Sequence, residues 1–125
     1  MLRSVMTRAP RFVEIAVNLG DPMFRGIYHE KQKHEDDLKF VLNRAERAGV
    51  AAHIVTAGTL RETIDVLPLV RETANLYSTA GCHATRTKEL ESYQGGPCAY
   101  VDALAAAIQT DTRIVAVGEC GLGML

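Results

Sequence analysis

Short apolar runs closed by glycine alternate with segments of helical periodicity along nearly the whole chain of 125 residues. This alternation is a severe restriction on the fold, because strands separated by helices pair in parallel through right-handed crossovers. The predicted strands span residues 12–19, 52–57, 76–80 and 113–117. The length allows one domain, so the prediction is an α/β fold with the order β-α-β-α-β-α-β, in which the first strand is buried.

The helices are predicted from their apolar spacing and from the signals at their ends. The first spans residues 34–48, the second begins at Thr59, and the third follows Gly95-Gly96-Pro97. Thr59 and Glu62 form a capping-box sequence, in which each side chain can bind the other residue's backbone N–H. Pro68 lies well inside the second helix and predicts a kink or an early end. The residues expected on one face of the third helix are Val101, Leu104 and Ile108.

Composition and missing motifs exclude several classes of function. Fourteen Lys and Arg residues against fifteen Asp and Glu residues give a net charge of −1, so no global basic field indicates nucleic-acid binding. The apolar runs fall far short of the ~20 residues that a transmembrane helix needs, and we expect no membrane association. Neither G-x-G-x-x-G nor G-x-x-x-x-G-K-[ST] follows a strand, so a nucleotide-binding open sheet would lack its phosphate loop.

The carboxyl ends of the predicted strands carry the candidate functional residues, which is where parallel α/β folds place their sites. Glu119 lies between glycines after the fourth strand, where a carboxylate is costly unless a cation neutralises it. It is either a ligand of a divalent metal or a turn residue that points to solvent. His83 follows the third strand. At that position a histidine can be a metal ligand, a proton shuttle, a phosphate contact or a plain surface residue. Arg86 would lie at the same carboxyl edge of the sheet and could bind a phosphate oxygen.

The first strand ends in polar groups at the same rim, of which Asn18 is a candidate substrate contact. The connection at residues 24–34 mixes cations, Arg25 among them, with aromatic side chains. It is either a surface that binds phosphates and stacks bases or a solvated loop. His53 lies inside the second strand and is interpreted as a core histidine with its hydrogen bonds satisfied.

Cysteine usage and the amino terminus bear on the compartment. Cys82, Cys98 and Cys120 are odd in number and have no CxxC spacing, so neither a disulfide framework nor a structural zinc site is expected. An intracellular location, cytoplasmic or nuclear, is consistent with this usage. Residues 1–11 contain three arginines and no acid, which predicts an unstructured leader and resembles a mitochondrial presequence only weakly.

From Phe12 to Leu122 the sequence resembles the TatD family of metal-dependent deoxyribonucleases, and within it the eukaryotic TatD-domain-containing proteins. G-E-C-G-L at residues 118–122 is the most specific match. The segments that carry the resemblance are EIAVNLGDPMFRGIY at 14–28, QKH at 32–34, STAGCHATR at 78–86 and VAVGECGL at 115–122.

The resemblance implies a fold, a reaction and a cofactor. The fold is the N-terminal half of a TIM-like (β/α)8 barrel of the metal-dependent hydrolase type, with residues 12–125 as its first four strands. The reaction is hydrolysis of DNA phosphodiester bonds, of the 3′-5′ exonuclease type, with a divalent cation such as Mg²⁺, Mn²⁺ or Zn²⁺. Glu119 matches the metal-binding glutamate of the family, and His83 matches its active-site histidine, a phosphate contact. DNA is the implied substrate, with Arg86, Asn18 and Arg25 as phosphate or substrate contacts.

The chain departs from the family pattern at three positions. Ala16 and Asn18 stand where many relatives have a His-x-His metal pair, and Gly123 stands where Asp follows G-E-C-G-L. The resemblance places the family's remaining metal ligands, two histidines and an aspartate, on later strands that these residues do not include. We therefore expect a truncated barrel that is inactive alone and that associates with itself through its open sheet edges. The alternatives are a non-catalytic or regulatory half-barrel that pairs with another chain, and an unrelated open-sheet binding module. The missing phosphate loop argues against the module.

Overall fold

The computed structural model describes residues 11–123, so the predicted leader at 1–11 lies, except for Arg11, outside the described residues. The strands are β1 Phe12–Val17, β2 Ile27–Tyr28, β3 Lys31–Gln32, β4 Val50–Val55, β5 Leu76–Cys82 and β6 Ile114–Cys120. The α-helices are α1 Leu38–Arg47, α2 Leu60–Asp65, α3 Leu67–Glu72, α4 Thr87–Ser92 and α5 Gly96–Thr110. Two 3₁₀ helices span Pro22–Arg25 and Ala84–Arg86.

The main sheet has four strands in the order β1-β4-β5-β6, and every pair in it is parallel. The predicted alternation of strands and helices is therefore confirmed. Strands β5 and β6 extend beyond their predicted ends, because their pairing continues to Cys82 opposite Cys120. Glu119 consequently lies inside a strand and not in the loop after it.

The apolar core lies between the sheet and the helices that cover it. Its buried members are Leu19, Leu38, Val55, Val66, Leu67, Val70, Leu76, Ala80 and Ile114. The prediction that the first strand is buried is wrong: Val13 is 56% exposed and Ile15 is 71% exposed. Because β1 is an edge strand with β4 as its one neighbour, only Val17 at its carboxyl end packs on the core.

The helix signals act as predicted, with three differences in detail. The Thr59 hydroxyl accepts the Glu62 N–H at 3.0 Å, but the Glu62 carboxylate accepts the N–H of Gly58 and not that of Thr59. Pro68 lies near the start of α3, and the helical segment breaks at Val66, between α2 and α3. In α5, Leu104 and Ile108 pack on the core as predicted, whereas Val101 is 55% exposed.

The sequence prediction contains no counterpart of the hairpin formed by β2 and β3, of helix α4 or of the two 3₁₀ helices. Among residues 11–123, no helix is long and apolar enough to cross a bilayer.

Candidate functional site

An open cavity of about 780 Å³ lies at the carboxyl ends of the parallel strands. Each of the four strands of the main sheet contributes to its wall, either directly or through the segment that follows it. The polar residues of the wall are Asn18, Asp21, Arg25, Thr56, Glu62, Asp65, His83, Thr85, Arg86 and Glu119. All five residues predicted from the sequence as site residues therefore line one cavity, which we call the rim cavity.

Glu119 lies on the wall of the rim cavity, where the backbones of β5 and β6 approach each other closely. Gly81 is the residue of β5 that faces this position, and a Cβ atom there would lie 2.6 Å from the carbonyl carbon of Gly118. Only a residue without a side chain allows this approach of two backbones. The exposed Glu119 carboxylate is thus held at the cavity wall by strand pairing.

His83 is held in one orientation by the turn that follows β5. Its backbone N–H donates to the Gly58 carbonyl at 2.9 Å. Its Nδ1 accepts the Thr85 N–H at 3.2 Å and lies 2.8 Å from the Thr85 hydroxyl. Since Nδ1 is an acceptor here, the neutral ring carries its proton on Nε2. That Nε2 lies 3.9 Å from Oε2 of Glu119.

The two arginines of the rim cavity differ in how far their charge is neutralised. Arg25 donates to the Asp36 carboxylate at 2.8 Å. This hydrogen bond, together with the one from the Leu38 N–H, lowers the pKa of Asp36. Arg86 is exposed, and no carboxylate among residues 11–123 forms an ion pair with it. Arg86 therefore offers the rim cavity a full positive charge, whereas Arg25 shares its charge with Asp36.

A buried tyrosine beneath the rim connects three helices and was not identified from the sequence. Tyr100 on α5 is fully buried, and its hydroxyl accepts the Leu60 N–H at 2.7 Å while donating to Glu89 at 3.1 Å. Burial raises its pKa. The contact holds the start of α2, where Glu62 binds Gly58 at the cavity wall. The helical spacing of Tyr100 and Leu104 marks an inward position, but only the folded chain shows its partners.

His53 does not belong to the rim cavity. It is buried, and its Nδ1 lies 3.0 Å from Oε2 of Glu14 on the neighbouring strand. The interpretation of His53 as a core histidine with a satisfied hydrogen bond is confirmed. The three cysteines are free thiols, and burial raises the pKa of the Cys82 thiol.

The donor set at the rim cavity is too small to hold a divalent cation by itself. In the part of the chain from Arg11 to Gly123, no three His, Cys, Asp or Glu side chains converge as a metal site. His83 directs a protonated nitrogen towards Glu119, which suits hydrogen-bond donation and not ligation. Ala16 lines the cavity without a donor atom. A catalytic metal commonly has three or more protein ligands, so these residues do not fit a complete metal centre.

Comparison with known sequences identifies the family. The family model described as TatD related DNase matches residues 26–124. "Deoxyribonuclease Tat-D" of Schizosaccharomyces pombe is 34% identical over 124 residues, covering 97% of this chain. "3'-5' ssDNA/RNA exonuclease TatD" of Salmonella typhimurium is 34% identical over 109 residues, covering 87% of this chain. The chain spans 40% and 35% of the lengths of these two relatives.

Comparison with solved structures identifies the same fold. The chain superposes on a TatD family hydrolase from Entamoeba histolytica with a TM-score of 0.73 and 36% identity, over 90% of this chain and 38% of that structure. An uncharacterized amidohydrolase from Saccharomyces cerevisiae gives a TM-score of 0.75 at 27% identity, over 90% of this chain and 37% of that structure. The four parallel strands thus correspond to part of a TIM-like barrel, as predicted.

Proposed function

The chain belongs to the TatD related DNase family, and from this premise we propose that it supplies the N-terminal part of a nuclease active site. The reaction is hydrolysis of DNA phosphodiester bonds, of the 3′-5′ exonuclease type. The observation that carries the proposal is the pair formed by His83 and Glu119. They lie 3.9 Å apart at the carboxyl rim of a parallel sheet, on one cavity with an unpaired arginine among the described residues.

Several residues of the rim cavity each bind a different part of the phosphodiester in this proposal. The His83 Nε2–H donates to a phosphate oxygen, because the Thr85 N–H occupies the other ring nitrogen. Arg86 neutralises phosphate charge through its guanidinium, and such preorganised donors stabilise charge that develops in a transition state. Arg25 contributes a weaker contact, since it also binds Asp36. Asn18 offers a neutral amide to the substrate.

Glu119 is the proposed ligand of a divalent cation, whether Mg²⁺, Mn²⁺ or Zn²⁺. Glu119 would hold such a cation together with further ligands, and the cation would supply polarisation of the scissile phosphate and a water of lowered pKa. Residues 11–123 supply too few donors for a complete centre, so the remaining ligands would be substrate oxygens or groups outside these residues. Accordingly, the 125-residue chain is expected to bind DNA and to cleave it slowly or not at all.

The experiment measures binding and cleavage of a fluorescent DNA oligonucleotide by the 125-residue chain, with Mg²⁺, with Mn²⁺ and with EDTA. Arg86→Ala and His83→Gln should each weaken binding, because each removes a phosphate contact. The control is Arg47→Ala, which removes the same charge from the last turn of α1. Equal losses in Arg86→Ala and Arg47→Ala would refute phosphate binding at the rim cavity. Rapid cleavage abolished by Glu119→Ala would contradict the incompleteness of the site.

A second candidate function is that of a non-catalytic half-barrel that pairs with another strand-bearing chain. The observation that favours it is the exposure of apolar side chains on both edge strands of the main sheet, with Ile15 of β1 71% and Val117 of β6 74% exposed. Parallel sheets are ordinarily covered on both faces. Sedimentation of the purified chain over a range of concentrations tests this candidate for a second copy of the chain as the partner, since a clean monomer throughout rules out edge pairing between copies.

A further inference from the structure

The hairpin of β2 and β3 carries an exposed aromatic surface beside the rim cavity. Tyr28 is 54% exposed, and its ring meets the His29 ring edge to face at a centroid distance of 4.3 Å. Every residue from Ile27 to His34 is exposed. A tyrosine and a histidine held together at the tip of a projecting hairpin are a feature that the core does not explain.

The hairpin turn holds its two tip residues in a conformation that their side chains do not favour. His29 has φ of 48° and Glu30 has φ of 59°, so both occupy the left-handed region. Two-residue hairpins of this geometry usually contain Asn or Gly at these positions. The turn thus places the His29 ring at the tip of the hairpin, in a backbone conformation that is uncommon for residues with a side chain.

Hydrogen bonds fix the hairpin to the 3₁₀ helix that forms part of the cavity wall. The Gly26 carbonyl accepts the Lys33 N–H at 2.7 Å, and the Gln32 side-chain amide donates to the carbonyls of Arg25 and His34. Arg25 belongs to the same 3₁₀ helix and lines the rim cavity. The aromatic tip is therefore a fixed extension of the rim.

Cations accompany the aromatic rings along the hairpin. Lys31 lies directly opposite Tyr28 in the antiparallel pair, so the two side chains project on one face. Within the described part of the chain, neither Lys31 nor Lys33 forms an ion pair. Of the nearby acids, Asp36 is engaged by Arg25, whereas Glu30, Glu35 and Asp37 form no ion pair with a Lys or Arg among the described residues.

We propose that the hairpin is a binding surface for single-stranded nucleic acid, with Tyr28 and His29 stacking an unpaired base and Lys31 and Lys33 binding the flanking phosphates. An aromatic ring in such a position favours a single strand, because the bases of a duplex are stacked on each other and their faces are covered. The proposal deepens the proposed function, on which it rests: the hairpin holds a nucleotide next to the phosphodiester at the rim cavity.

The experiment measures the binding of labelled oligodeoxythymidylate to the 125-residue chain in EDTA, so that cleavage plays no part. Tyr28→Ala should weaken binding by roughly 5- to 100-fold, the effect of losing one stacked base. Tyr28→Phe should bind like the original chain because it keeps the ring. Tyr28→Leu, which keeps apolar bulk without an aromatic face, should bind like Tyr28→Ala. The control is Phe12→Ala, an aromatic ring 52% exposed at the amino end of β1, and it should bind normally.

The design also compares three DNA probes, a single strand, an abasic strand and a duplex, and checks the fold of each variant by circular dichroism. An abasic oligonucleotide and a duplex of the same length should both bind more weakly than the single strand. The proposal is overturned if Tyr28→Leu binds as tightly as Tyr28→Phe, if the abasic strand binds equally well, or if the chain binds no single strand. His29→Gly relaxes the turn and removes a ring, so weaker binding by this variant with an unchanged circular dichroism spectrum supports stacking over loss of fold. If Tyr28→Ala weakens binding but Arg86→Ala and His83→Gln bind like the Arg47→Ala control, the proposed function alone is refuted.

Discussion

At the residue scale, the rim cavity depends on a few positions where one atom decides the local geometry. His83 is an example: two groups of Thr85 occupy Nδ1, and the second ring nitrogen is thereby directed at Glu119. Tyr100 is another, since its single hydroxyl satisfies a backbone N–H of α2 and binds a carboxylate of α4.

Gly81 yields the sharpest prediction for stability. Gly81→Ala places a methyl group against the backbone of Gly118 and Glu119, and we expect a loss of about 1–3 kcal/mol in the free energy of unfolding. Urea denaturation followed by circular dichroism measures it. The control is Gly20→Ala, where a Cβ meets nothing within 4 Å and the change should stay within about 1 kcal/mol. Equal midpoints for the two variants would show that β5 and β6 do not approach as described.

Tyr100→Phe tests the buried hydroxyl. The variant leaves the Leu60 N–H without its acceptor, and a buried unsatisfied donor costs about 1–3 kcal/mol. Urea denaturation should show this loss. Tyr93→Phe is the matched control, because Tyr93 packs edge to face on Tyr100 and its hydroxyl makes no hydrogen bond to the described residues. A loss no larger than that of the control would mean that water replaces the hydroxyl.

At the scale of elements, side-chain contacts tie the helices to the sheet at the amino end of β6. Asp111 precedes β6, and its carboxylate accepts the Arg113 N–H at 2.8 Å and the Arg71 guanidinium of α3 at 2.6 Å. The Arg113 guanidinium in turn donates to the Ala74 and Leu76 carbonyls at the start of β5. These contacts fix where α3 lies relative to the last two strands.

Asp111 also predicts a pH dependence of stability. The hydrogen bond from the Arg113 N–H, and then that from Arg71, lower the pKa of Asp111 below its ordinary value of 3.8. A carboxyl whose pKa is lower in the folded state stabilises the fold above its unfolded pKa. Asp111→Asn should therefore be less stable than the original chain at neutral pH, and the difference should shrink as the pH falls below 3.8. Urea denaturation at a series of pH values measures this, and a difference independent of pH would contradict it.

At the scale of the whole molecule, the four-stranded sheet has two edges that the described residues leave uncovered. Both edge strands carry exposed apolar side chains, whereas β4 and β5 between them are mostly buried or half-buried. The superposed relatives continue well beyond the matched region, since the chain spans 38% and 37% of them. In a closed barrel each strand has two neighbours and no edge is left open.

Self-association of the 125-residue chain is the prediction that belongs to this scale. The apparent mass in sedimentation should rise with concentration, and Ile15→Lys should shift the chain towards monomer, because a charge on an edge strand opposes pairing. Val101→Lys makes the same change at a residue of α5 that is 55% exposed and should have no such effect. If both variants reduced association equally, the added charge would act through general solubility, and the β1 edge would not be the site of association.

The order of the elements and the residues at the strand ends were predictable from the sequence. Apolar periodicity, the Thr59 cap, the Pro68 break and the closing glycines are local signals, and each acts within a few residues of its own position. The same signals brought Glu119, His83, Arg86 and Asn18 to one rim, because the carboxyl ends of parallel strands share one edge of a sheet. Arg25 also lines the rim cavity, but it was predicted as a contact from the connection at residues 24–34.

The remaining features were decided by tertiary structure, because they depend on contacts between residues far apart in the sequence. The exposure of β1 depends on which strands neighbour it, and the apolar run at 12–19 looks the same in an edge strand and in a central one. The close approach of Gly81 to Gly118, the 3.9 Å between His83 and Glu119, and the hydroxyl of Tyr100 on Leu60 join separate elements. The sequence alone determined the parallel order and the rim; the packing of distant elements determined the geometry of the site on it.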